Sequence, residues 1–413
     1  MRVAVLGAGI AGLSLAYYLQ RKGLNVTLID QADRVGGWIQ TEKDLGYHFE
    51  NGPHSYRPTP LLEKLIIELN IQDQVLLPDP LAKNKFIYYR NRLNKPGINP
   101  FSSFQRPIFK ALLKEWKQPN FENEETVHDF FLRRFGHDIA SNVISALCAG
   151  IWGCHPKELS MEAAFPKWHK WEKDFGSITK ALFKKPKVKK SSFLNASSFT
   201  FKKGMDVLPK ALLHSFKGDL RLKFPIHKLD FYNRFVKIND AETFDRVYST
   251  LPADALSNTI QDQSIAQLLN EFKSSTLDVV QLVYSDDVLK KKGFGYLVPF
   301  DQGISILGVI FDSAIFPEQN YEQETRLTVM MHPNENPLET ATNAIKQQLN
   351  IIDTPLMYKM RHCRNAIGKY SMGHIKRVRD LENKIASLST SLKVIGSSFY
   401  GPAISDCIEK SFQ

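Results

Sequence analysis

The first thirty residues carry the clearest pattern of apolar and polar stretches in the chain. Arg2 to Leu6 is a short β-branched apolar run, which is typical of a buried parallel strand. Apolar residues then recur at helical spacing as far as Leu19, and Gly23 predicts the end of that helix. A second apolar run, Asn25 to Ile29, ends on Asp30. The pattern predicts a strand, a turn, a helix and a second strand with an acid at its end.

A glycine-rich turn, GAGIAG at residues 7–12, joins the first strand to the helix. The first glycine of such a turn allows a tight bend, the second lets the main chain approach a diphosphate, and the third lets the helix pack close to the strands. Unpaired N–H groups at the start of the helix then bind the anion. We therefore predict a dinucleotide site, with Gly7, Gly9, Ile10, Ala11 and Gly12 at the diphosphate and Asp30 at the adenosine ribose.

The same segment has a second interpretation. Val3 to Leu19 contains no charged residue, so it resembles a signal peptide or a membrane anchor. However, the positive charges lie mainly after the apolar stretch, at Arg21 and Lys22, and three glycines stand at the nucleotide-binding spacing. These features favour the dinucleotide site.

Two loops after the second strand point to a flavin. Residues 31–39, QADRVGGWI, place an arginine two residues before a Gly-Gly pair, and residues 49–54 read FENGPH. The first loop supplies a cation and open backbone for the same diphosphate, which NAD proteins do not need, so it favours FAD. The second is a rigid turn that brings backbone to a flavin ring, although alone it is an ordinary Gly-Pro turn. The candidate residues are Gln31, Arg34, Gly36, Gly37, Trp38, Gly52, Pro53 and His54.

The last thirty residues repeat the strand-to-helix pattern. Lys393 to Gly396 predicts a strand, and a glycine-marked turn leads into a final helix. This turn places another helix N-terminus at the cofactor. The candidate residues there are Gly401, Ala403 and Ile404.

Residues 91–194 differ in character from the rest of the chain. Aromatic and aliphatic residues recur at three- and four-residue steps from Phe101 to Trp116, beside a stripe of lysines and arginine. Further tryptophans and phenylalanines lead into a lysine-rich run at Lys184 to Lys190. A basic, aromatic amphipathic helix suits a lipid surface, but the pattern alone fits a core-packed surface helix equally well.

Several further apolar runs predict strands that complete the nucleotide-binding domain and build a second sheet. A cofactor domain interrupted by long insertions follows from their order along the chain. The predicted strands are Lys85–Tyr89, Leu222–Leu229, Arg246–Leu251, Val279–Tyr284, Gly295–Val298, Ile304–Phe311 and Leu327–Met331.

Composition adds few constraints. The formal net charge of +11 over 413 residues indicates an anionic partner without choosing between substrate, lipid surface and nucleic acid. The four cysteines lack CxxC spacing and the histidines lack an HExxH pattern, so we expect ordinary reduced thiols and no metal.

Several longer motifs give this chain a specific resemblance to one protein family. DRVGGWIQT at residues 33–41, FENGP at 49–53, GIWGCHPKELSMEAAFP at 150–166, GFGYLVP at 293–299, FDSAIFPEQ at 311–319 and SSFYGPAISDCIE at 397–409 follow the glycine turn in one order. The chain resembles, nearly end to end, the FAD-dependent protoporphyrinogen IX oxidases of the monoamine-oxidase-like flavoproteins.

The resemblance implies an α/β architecture with three parts. A Rossmann-like FAD-binding domain would comprise residues 1–58, 195–261 and 388–413. A mixed-sheet substrate domain would comprise residues 59–90 and 262–387. Residues 91–194 would form a helical membrane-binding insertion, which raises the lipid interpretation above its alternative.

The resemblance also implies an activity and a location. The activity is oxidation of protoporphyrinogen IX to protoporphyrin IX in haem biosynthesis, in three two-electron steps that pass hydride equivalents to FAD, with oxygen as the acceptor. We expect a membrane surface as partner, no nucleic acid, and a cytoplasmic protein on the inner face of a bacterial membrane; a mitochondrial location and a homodimer stay open.

The resemblance assigns roles to residues that pattern alone leaves as core positions. An arginine that pairs with a substrate propionate in the family corresponds here to Lys85, which keeps the charge but loses the bidentate fork. No general base is assigned, because the substrate's own imine-enamine tautomers move protons. The family's Gly-Gly before Met205 is Lys203-Gly204. The remaining matches are Phe294, Gly295, Leu297 and Met330 at the tetrapyrrole, and Ile226 at the adenine.

Three alternatives remain at this point. Coproporphyrinogen III, with four propionates, is the competing substrate for a positively charged protein. A related flavin oxidase or desaturase that acts on an amine or a carotenoid is the second alternative. An amine oxidase would have an aromatic cage at the flavin, which Phe399 and Tyr400 match only thinly. A basic membrane or nucleic-acid binding protein with a vestigial nucleotide fold is disfavoured by the intact glycines and Asp30.

Overall fold

The first predicted strand lies at the centre of a five-stranded parallel sheet in the computed structural model, which describes residues 1–184 and 192–413. The described residues form nineteen strands: β1 Arg2–Leu6, β2 Asn25–Ile29, β3 Thr41–Asp44, β4 Tyr47–Glu50, β5 Val75–Leu76, β6 Lys85–Tyr89, β7 Arg92–Asn94, β8 Thr200–Phe201, β9 Asp219–Arg221, β10 Leu229–Tyr232, β11 Phe235–Ile238, β12 Glu242–Phe244, β13 Arg246–Ser249, β14 Ser274–Tyr284, β15 Gly295–Leu297, β16 Ile306–Ile310, β17 Thr325–Met331, β18 Met357–Gly368 and β19 Leu392–Val394.

The same residues form fifteen α-helices, besides short 3-10 and π turns. They are α1 Ile10–Arg21, α2 Pro60–Glu68, α3 Gln105–Glu115, α4 Val127–Phe135, α5 Ser145–Trp152, α6 Met161–Ala164, α7 Pro166–Phe175, α8 Ile178–Lys184, α9 Val207–Ser215, α10 Ala253–Ser257, α11 Gln263–Asn270, α12 Asp312–Ile315, α13 Pro337–Leu349, α14 His374–Leu388 and α15 Ile404–Ser411.

The chain divides into two units. Unit 1 comprises Met1–Pro78, Ser191–Lys273 and Ile375–Gln413, and unit 2 comprises Asp79–Lys190 and Ser274–His374. Unit 1 contains the parallel sheet, in the order β19-β13-β1-β2-β9. Unit 2 contains a seven-stranded sheet, in the order β18-β14-β17-β16-β15-β6-β7, in which only β15 and β6 pair in parallel. The predicted α/β fold with a second, mixed sheet is confirmed, whereas the finer division into three domains stays a prediction.

The parallel sheet of unit 1 is covered on both faces. Val3 and Val5 of β1 pack in a core with α1, α2, α9 and α15, while Ala4 and Leu6 pack in a second core with α10, α11 and α14. Successive residues of a strand face opposite sides, so a continuous apolar run suits a strand buried on both faces. The N-terminal segment supplies the central strand of this sheet and a helix packed on it. This placement favours the dinucleotide-binding interpretation over a membrane anchor.

One predicted strand is wrong in position. The edge strand of the parallel sheet is β9, at Asp219–Arg221. Of the predicted strand Leu222–Leu229, only Leu229 lies in a strand, as the first residue of β10. Lys223 has φ +54°, which breaks the pleat, and Pro225 has no N–H to donate to a neighbouring strand. The segment instead continues past the end of β2, where the N–H of Phe224 donates to the carbonyl of Asp30 at 2.9 Å.

Unit 2 also contains a helical segment, α3 to α8, with its own core around Phe130, Trp152 and Trp171. A buried ion cluster fixes three of its helices, because the Arg134 guanidinium donates to Glu115 at 2.7 Å and to Glu172 at 2.5 Å. Within residues 1–184 and 192–413, no helix combines the length and apolar character needed to cross a membrane. Of the predicted lysine run, residues 185–190 lie outside the described residues.

Candidate functional site

The glycine-rich turn of unit 1 has the geometry that the sequence predicts. Gly7 has φ +97°, a conformation that favours glycine, and a Cβ on Gly12 would lie 1.8 Å from the Gly7 carbonyl oxygen. Gly9 differs, because its φ is −69° and a Cβ there would approach only the Gly37 Cα, at 3.9 Å. Packing therefore explains Gly7 and Gly12, while the space beside Gly9 suits a ligand that approaches the main chain.

Helix α1 begins at Ile10, directly beside this space. Its N-cap residue is Gly9, and no side chain caps the N–H groups of its first turn. Those N–H groups have no partner within the helix, and the helix dipole makes this end positive. The turn thus offers the donors and the room that a diphosphate requires, and the residues fit the predicted cofactor.

The Gly-Gly loop lies against the glycine-rich turn. The N–H of Gly36 donates to the carbonyl of Ala8 at 2.8 Å, and Gly9 forms a parallel bridge with Gly36. The guanidinium of Arg34 donates to loop carbonyls, including that of Gly37 at 2.9 Å. Arg34 therefore holds the loop in shape, and its predicted contact with the diphosphate stays a prediction.

Asp30 lies at the end of β2, where the carboxylate accepts two backbone N–H groups. One oxygen accepts from Ala8 at 2.6 Å and the other from Ala32 at 2.8 Å. Each carboxylate oxygen can accept a second hydrogen bond, so the ribose contact remains open to Asp30. Ile226, two residues after Phe224 on the segment beyond β2, is partly buried, whereas Gln31 is exposed. The contact of Ile226 with the adenine stays a prediction.

The second flavin loop follows β4 and lies beside the first. A Cβ on Gly52 would lie 1.8 Å from the carbonyl oxygen of Trp38, so glycine is required for this close approach. The N–H of Asn51 also donates to the carbonyl of Gln40 at 2.8 Å. Pro53 and His54 follow directly, so the structure brings the two predicted flavin loops together. Their contact with the flavin ring stays a prediction.

The C-terminal turn reaches the same region of unit 1 through α15. Gly401 has φ +119°, and Ala403 is the N-cap of α15, which begins at Ile404 without a side-chain cap. The hydroxyl of Ser411, at the end of α15, donates to the carbonyl of Ala11 at 3.0 Å. The start of α15 is therefore about 10 Å along that helix from the first turn of α1, a separation that suits two ends of one extended cofactor.

The sequence interpretation missed two polar groups that shape this site. The hydroxyl of Thr250 donates to the carbonyls of Leu6 at 2.8 Å and Gly7 at 3.2 Å, and so stabilises the glycine-rich turn. The carboxylate of Glu50 is buried beneath the flavin loops. Glu50 lies within the FENGP motif, but only its glycine and proline were singled out from the sequence.

Four of the five predicted substrate residues share one face of the mixed sheet in unit 2. Lys85 pairs with Gly295, and Leu297, two residues on, faces the same side. Across the sheet, Leu297 pairs with Gly308 and Gly308 pairs with Met330. The alternate residues of these strands face the core beneath α13 instead. We name this side, which carries Lys85, Gly295, Leu297, Gly308 and Met330, the substrate face.

Phe294 joins the substrate face through Lys85. The Lys85 Nζ lies 5.0 Å from the centroid of the Phe294 ring, and the Phe294 N–H donates to the Asn84 carbonyl at 2.8 Å. Lys85 is exposed, so its charge is accessible on the same face as the apolar Leu297 and Met330. Such a surface suits a flat apolar ligand with a carboxylate at its rim.

Glycines shape the rest of the substrate face. Gly295 has φ +138°, and a Cβ there would lie 2.1 Å from the Val309 carbonyl oxygen. A Cβ on Gly150 of α5 would lie 2.6 Å from a methyl group of Leu297, so this glycine lets the helix approach the face. The GIWGCHP motif thus borders the predicted substrate residues, a relationship that only the packing of α5 on the sheet reveals.

The cysteine thiols are unreactive in this structure. All four cysteines are free and buried, and burial raises the pKa of Cys154 and of Cys407 to about 12. These thiols stay protonated and unreactive at neutral pH. In the described part of the chain, no cluster of three or more His, Cys, Asp or Glu side chains could hold a metal ion.

Comparison with known proteins agrees with this geometry. A profile of the flavin containing amine oxidoreductase family matches residues 10–352. The chain is 30% identical to protoporphyrinogen oxidase from Bos taurus, over 100% of this chain and 97% of the bovine protein. It is 28% identical to protoporphyrinogen oxidase from Schizosaccharomyces pombe, over 99% of this chain and 96% of the yeast protein. A solved structure of a candidate protoporphyrinogen oxidase from Exiguobacterium sp. 255-15 aligns with a TM-score of 0.85 at 18% identity, over 100% of this chain and 97% of that chain.

The chain therefore belongs to the flavin containing amine oxidoreductase family. Within it, the chain resembles the protoporphyrinogen oxidases over its whole length. The predicted resemblance and the predicted flavin-dependent oxidoreductase are confirmed. Because the family binds flavin and the glycine-rich turn is built for a dinucleotide, the cofactor is FAD.

Proposed function

We propose that this protein oxidises protoporphyrinogen IX to protoporphyrin IX. The observation that carries the proposal is the substrate face of unit 2, on which the apolar Leu297 and Met330 share one side of the sheet with the exposed charge of Lys85. The relatives that match the whole chain are named protoporphyrinogen oxidases, which favours this substrate over coproporphyrinogen III. Three two-electron steps would pass hydride equivalents from the substrate to FAD, with oxygen as the final acceptor.

The residues of the chain would orient the substrate and exclude water, while the cofactor carries the redox chemistry. FAD would lie on the predicted cofactor residues of unit 1, with its diphosphate at Gly9 and the first turn of α1. Lys85 would pair with a propionate, and its flexible ammonium group makes this contact looser than a bidentate arginine would. Leu297 and Met330 would form the apolar floor under the tetrapyrrole.

We also propose that the helical segment of unit 2 binds a lipid surface. Several apolar side chains in or just before this segment are exposed, including Phe101 by 89%, Phe183 by 77%, Leu113 by 62%, Leu182 by 59% and Trp116 by 48%. The rings of Trp116 and Phe183 lie 6.3 Å apart, so α3 and α8 present these side chains together. Lys110, Lys114 and Lys184 are exposed on the same helices. Exposed aromatic residues beside lysines suit an anionic membrane surface.

On this basis the three-part domain division is a proposal in which residues 91–194 form the membrane-binding part. The proposal includes a location on the inner face of a bacterial cell membrane. The homodimer stays a prediction.

Anaerobic flavin reduction tests the proposed activity. The purified holoprotein is mixed separately with protoporphyrinogen IX and with coproporphyrinogen III, and bleaching of the flavin absorbance is followed. We expect rapid bleaching by the first substrate and slow bleaching by the second. The reverse order would assign the enzyme to the coproporphyrinogen reaction, and no bleaching by either would reject a porphyrinogen substrate.

A further inference from the structure

The hairpin of β3 and β4 connects the two flavin loops of unit 1. Thr41, the first residue of the hairpin, follows Trp38 by three residues, and Gly52 follows Glu50, its last residue, by two. Thr41 pairs with Glu50 across the hairpin. Both flavin loops therefore leave the same end of the hairpin, at the Thr41–Glu50 pair.

The carboxylate of Glu50 is buried at that end, with the residue 7% exposed. It accepts from the Thr41 hydroxyl at 2.9 Å and from the Met205 N–H at 2.9 Å, and it lies 2.9 Å from the His48 Nε2. A buried charge requires such partners, since leaving it without them is costly. Hydrogen bonds to an ionised acceptor are also shorter and stronger than neutral ones.

The same contacts fix a distant loop between β8 and α9. The Tyr56 hydroxyl donates to the Met205 carbonyl at 2.6 Å, while Glu50 accepts from the N–H of that residue. Burial raises the pKa of Tyr56 well above its ordinary value, and the nearby Glu50 and Asp206 carboxyls add to the effect, so the hydroxyl stays protonated and donates. The Asp206 N–H donates to the Thr41 hydroxyl oxygen at 3.2 Å.

Gly204 makes this contact close. Its φ is +107°, and a Cβ there would lie 2.3 Å from the Thr41 Cγ2. This glycine is the one that the sequence retains from the family's Gly-Gly pair before Met205. The substitution of the first glycine by Lys203 leaves the close approach intact.

We propose that Glu50 is a positioning residue for the flavin, acting through the Glu50 cluster, defined as Thr41, His48, Glu50, Tyr56 and Met205. The cluster joins the base of both flavin loops to a loop 155 residues away in sequence. The loops bind FAD in one arrangement only while this end of the hairpin is held. The inference rests on FAD as the cofactor and is independent of the identity of the substrate.

Matched variants separate positioning from folding. Glu50→Gln keeps the volume but turns one acceptor oxygen into an NH2 donor, which meets donors in the cluster. Thr41→Val removes the hydroxyl at constant shape, while Thr41→Ser retains it. Tyr56→Phe removes only the bond to the Met205 carbonyl. Glu115→Gln in unit 2, which alters a carboxylate that is 0% exposed, is the control for a buried glutamate away from the hairpin.

The measurement titrates the flavin-free full chain with FAD, following flavin fluorescence, and records the visible absorption and circular dichroism of the bound flavin. We expect Glu50→Gln and Thr41→Val to raise the Kd for FAD about tenfold or more and to change the flavin circular dichroism. Tyr56→Phe should act in the same direction, Thr41→Ser should remain close to the parent, and Glu115→Gln should leave Kd unchanged.

If Glu50→Gln and Thr41→Val lower the melting temperature but leave the Kd and the flavin spectra of the folded protein unchanged, the cluster only stabilises the fold and the proposal is wrong. If Glu50→Gln does not fold, the Thr41→Val and Thr41→Ser pair decides, because both keep the buried carboxylate.

Discussion

The Nζ of Lys85 lies 5.0 Å from the centre of the Phe294 ring, at the start of β6 in the mixed sheet. The aromatic face attracts the ammonium group and restrains a side chain that has many rotamers. Lys85 also pairs with Gly295, whose missing side chain leaves space beside it. The charge is thus held over the face on which we place the substrate.

Removing this charge should weaken substrate binding. We expect Lys85→Met to raise KM for protoporphyrinogen IX about tenfold, because a charge-assisted contact with a propionate is lost at an exposed site. Lys85→Arg should lower KM below that of the parent, since a guanidinium binds a carboxylate through two hydrogen bonds. Steady-state oxidation of protoporphyrinogen IX measures both.

Two controls accompany this experiment. Lys64→Met, which removes an exposed lysine in unit 1, should leave KM unchanged. The dimethyl ester of the substrate should be oxidised equally well by Lys85→Met and the parent. Equal loss with the ester would show that Lys85 acts on the fold of the face rather than on a carboxylate.

The space beside Gly9 leads to a second prediction. Gly9→Ala fits the backbone, because φ is −69°, and its methyl group meets no neighbour closer than 3.9 Å. The apoprotein should therefore fold with an unchanged melting temperature. The methyl group would occupy the approach to the diphosphate, so we expect the Kd for FAD to rise by roughly tenfold or more.

Gly12→Ala is the contrasting variant for this test. Its methyl group would lie 1.8 Å from the Gly7 carbonyl oxygen, so it should impair folding itself. Melting curves of both apoproteins, together with FAD titration of Gly9→Ala, separate the two roles of glycine. Unchanged FAD affinity in Gly9→Ala would place the diphosphate elsewhere.

Membrane binding should depend on the exposed side chains of α3 and α8. We expect Phe183→Ser to lower the affinity for vesicles of anionic phospholipid about tenfold, because a fully buried phenylalanine contributes roughly 1.5–3 kcal/mol to the binding free energy. Co-sedimentation with the vesicles measures this affinity. Trp116→Ser should act in the same direction. Binding of the parent should fall as salt increases, since lysines supply part of the attraction.

Ile352→Ser provides a matched surface control. Ile352 is 74% exposed in unit 2 but lies outside the helical segment, so its replacement should not affect vesicle binding. Equal loss in both variants, or no binding of the parent to anionic vesicles, would reject the proposed membrane surface.

Stability should depend on pH through His155. Its Nδ1 accepts the N–H of Lys157 at 3.1 Å, which requires an unprotonated Nδ1. Burial lowers the pKa of His155 from its ordinary value of 6.5, and Asp301 opposes this effect only in part. The unfolded chain therefore binds a proton at a higher pH than the folded chain does. The contribution of His155 to the free energy of unfolding is fully present above pH 6.5, and it is lost as the pH falls through the lower pKa of His155 in the folded chain.

Urea unfolding of the parent and of His155→Asn between pH 7.5 and pH 5 (about 2.5 pH units) measures this contribution. Asparagine keeps an acceptor for the Lys157 N–H but does not titrate, so the variant should lose less stability on acidification. Burial also lowers the pKa of His169 and of His332, so part of the pH dependence should remain. Identical pH dependence in both proteins would contradict the role of His155.

The sequence predicted those parts of the site whose geometry is local. Asn25–Ile29 and Lys85–Tyr89 are strands with the predicted bounds, and α1 begins within the glycine-rich turn. These elements depend on apolar period, glycine conformation and helix termini, all of which act over a few residues. The motif order along the chain also gave the family, because it needs no knowledge of which strands pair.

Only the tertiary structure decided which distant residues meet. The edge strand at Asp219–Arg221 was misplaced from sequence because Lys223 and Pro225 end it through conformation and a missing N–H, while its apolar pattern continues. Met330 reaches Leu297 only through pairing with Gly308, and Met205 reaches Glu50 across 155 residues. Strand register and buried polar contacts depend on pairing between separate segments, which a local pattern does not contain.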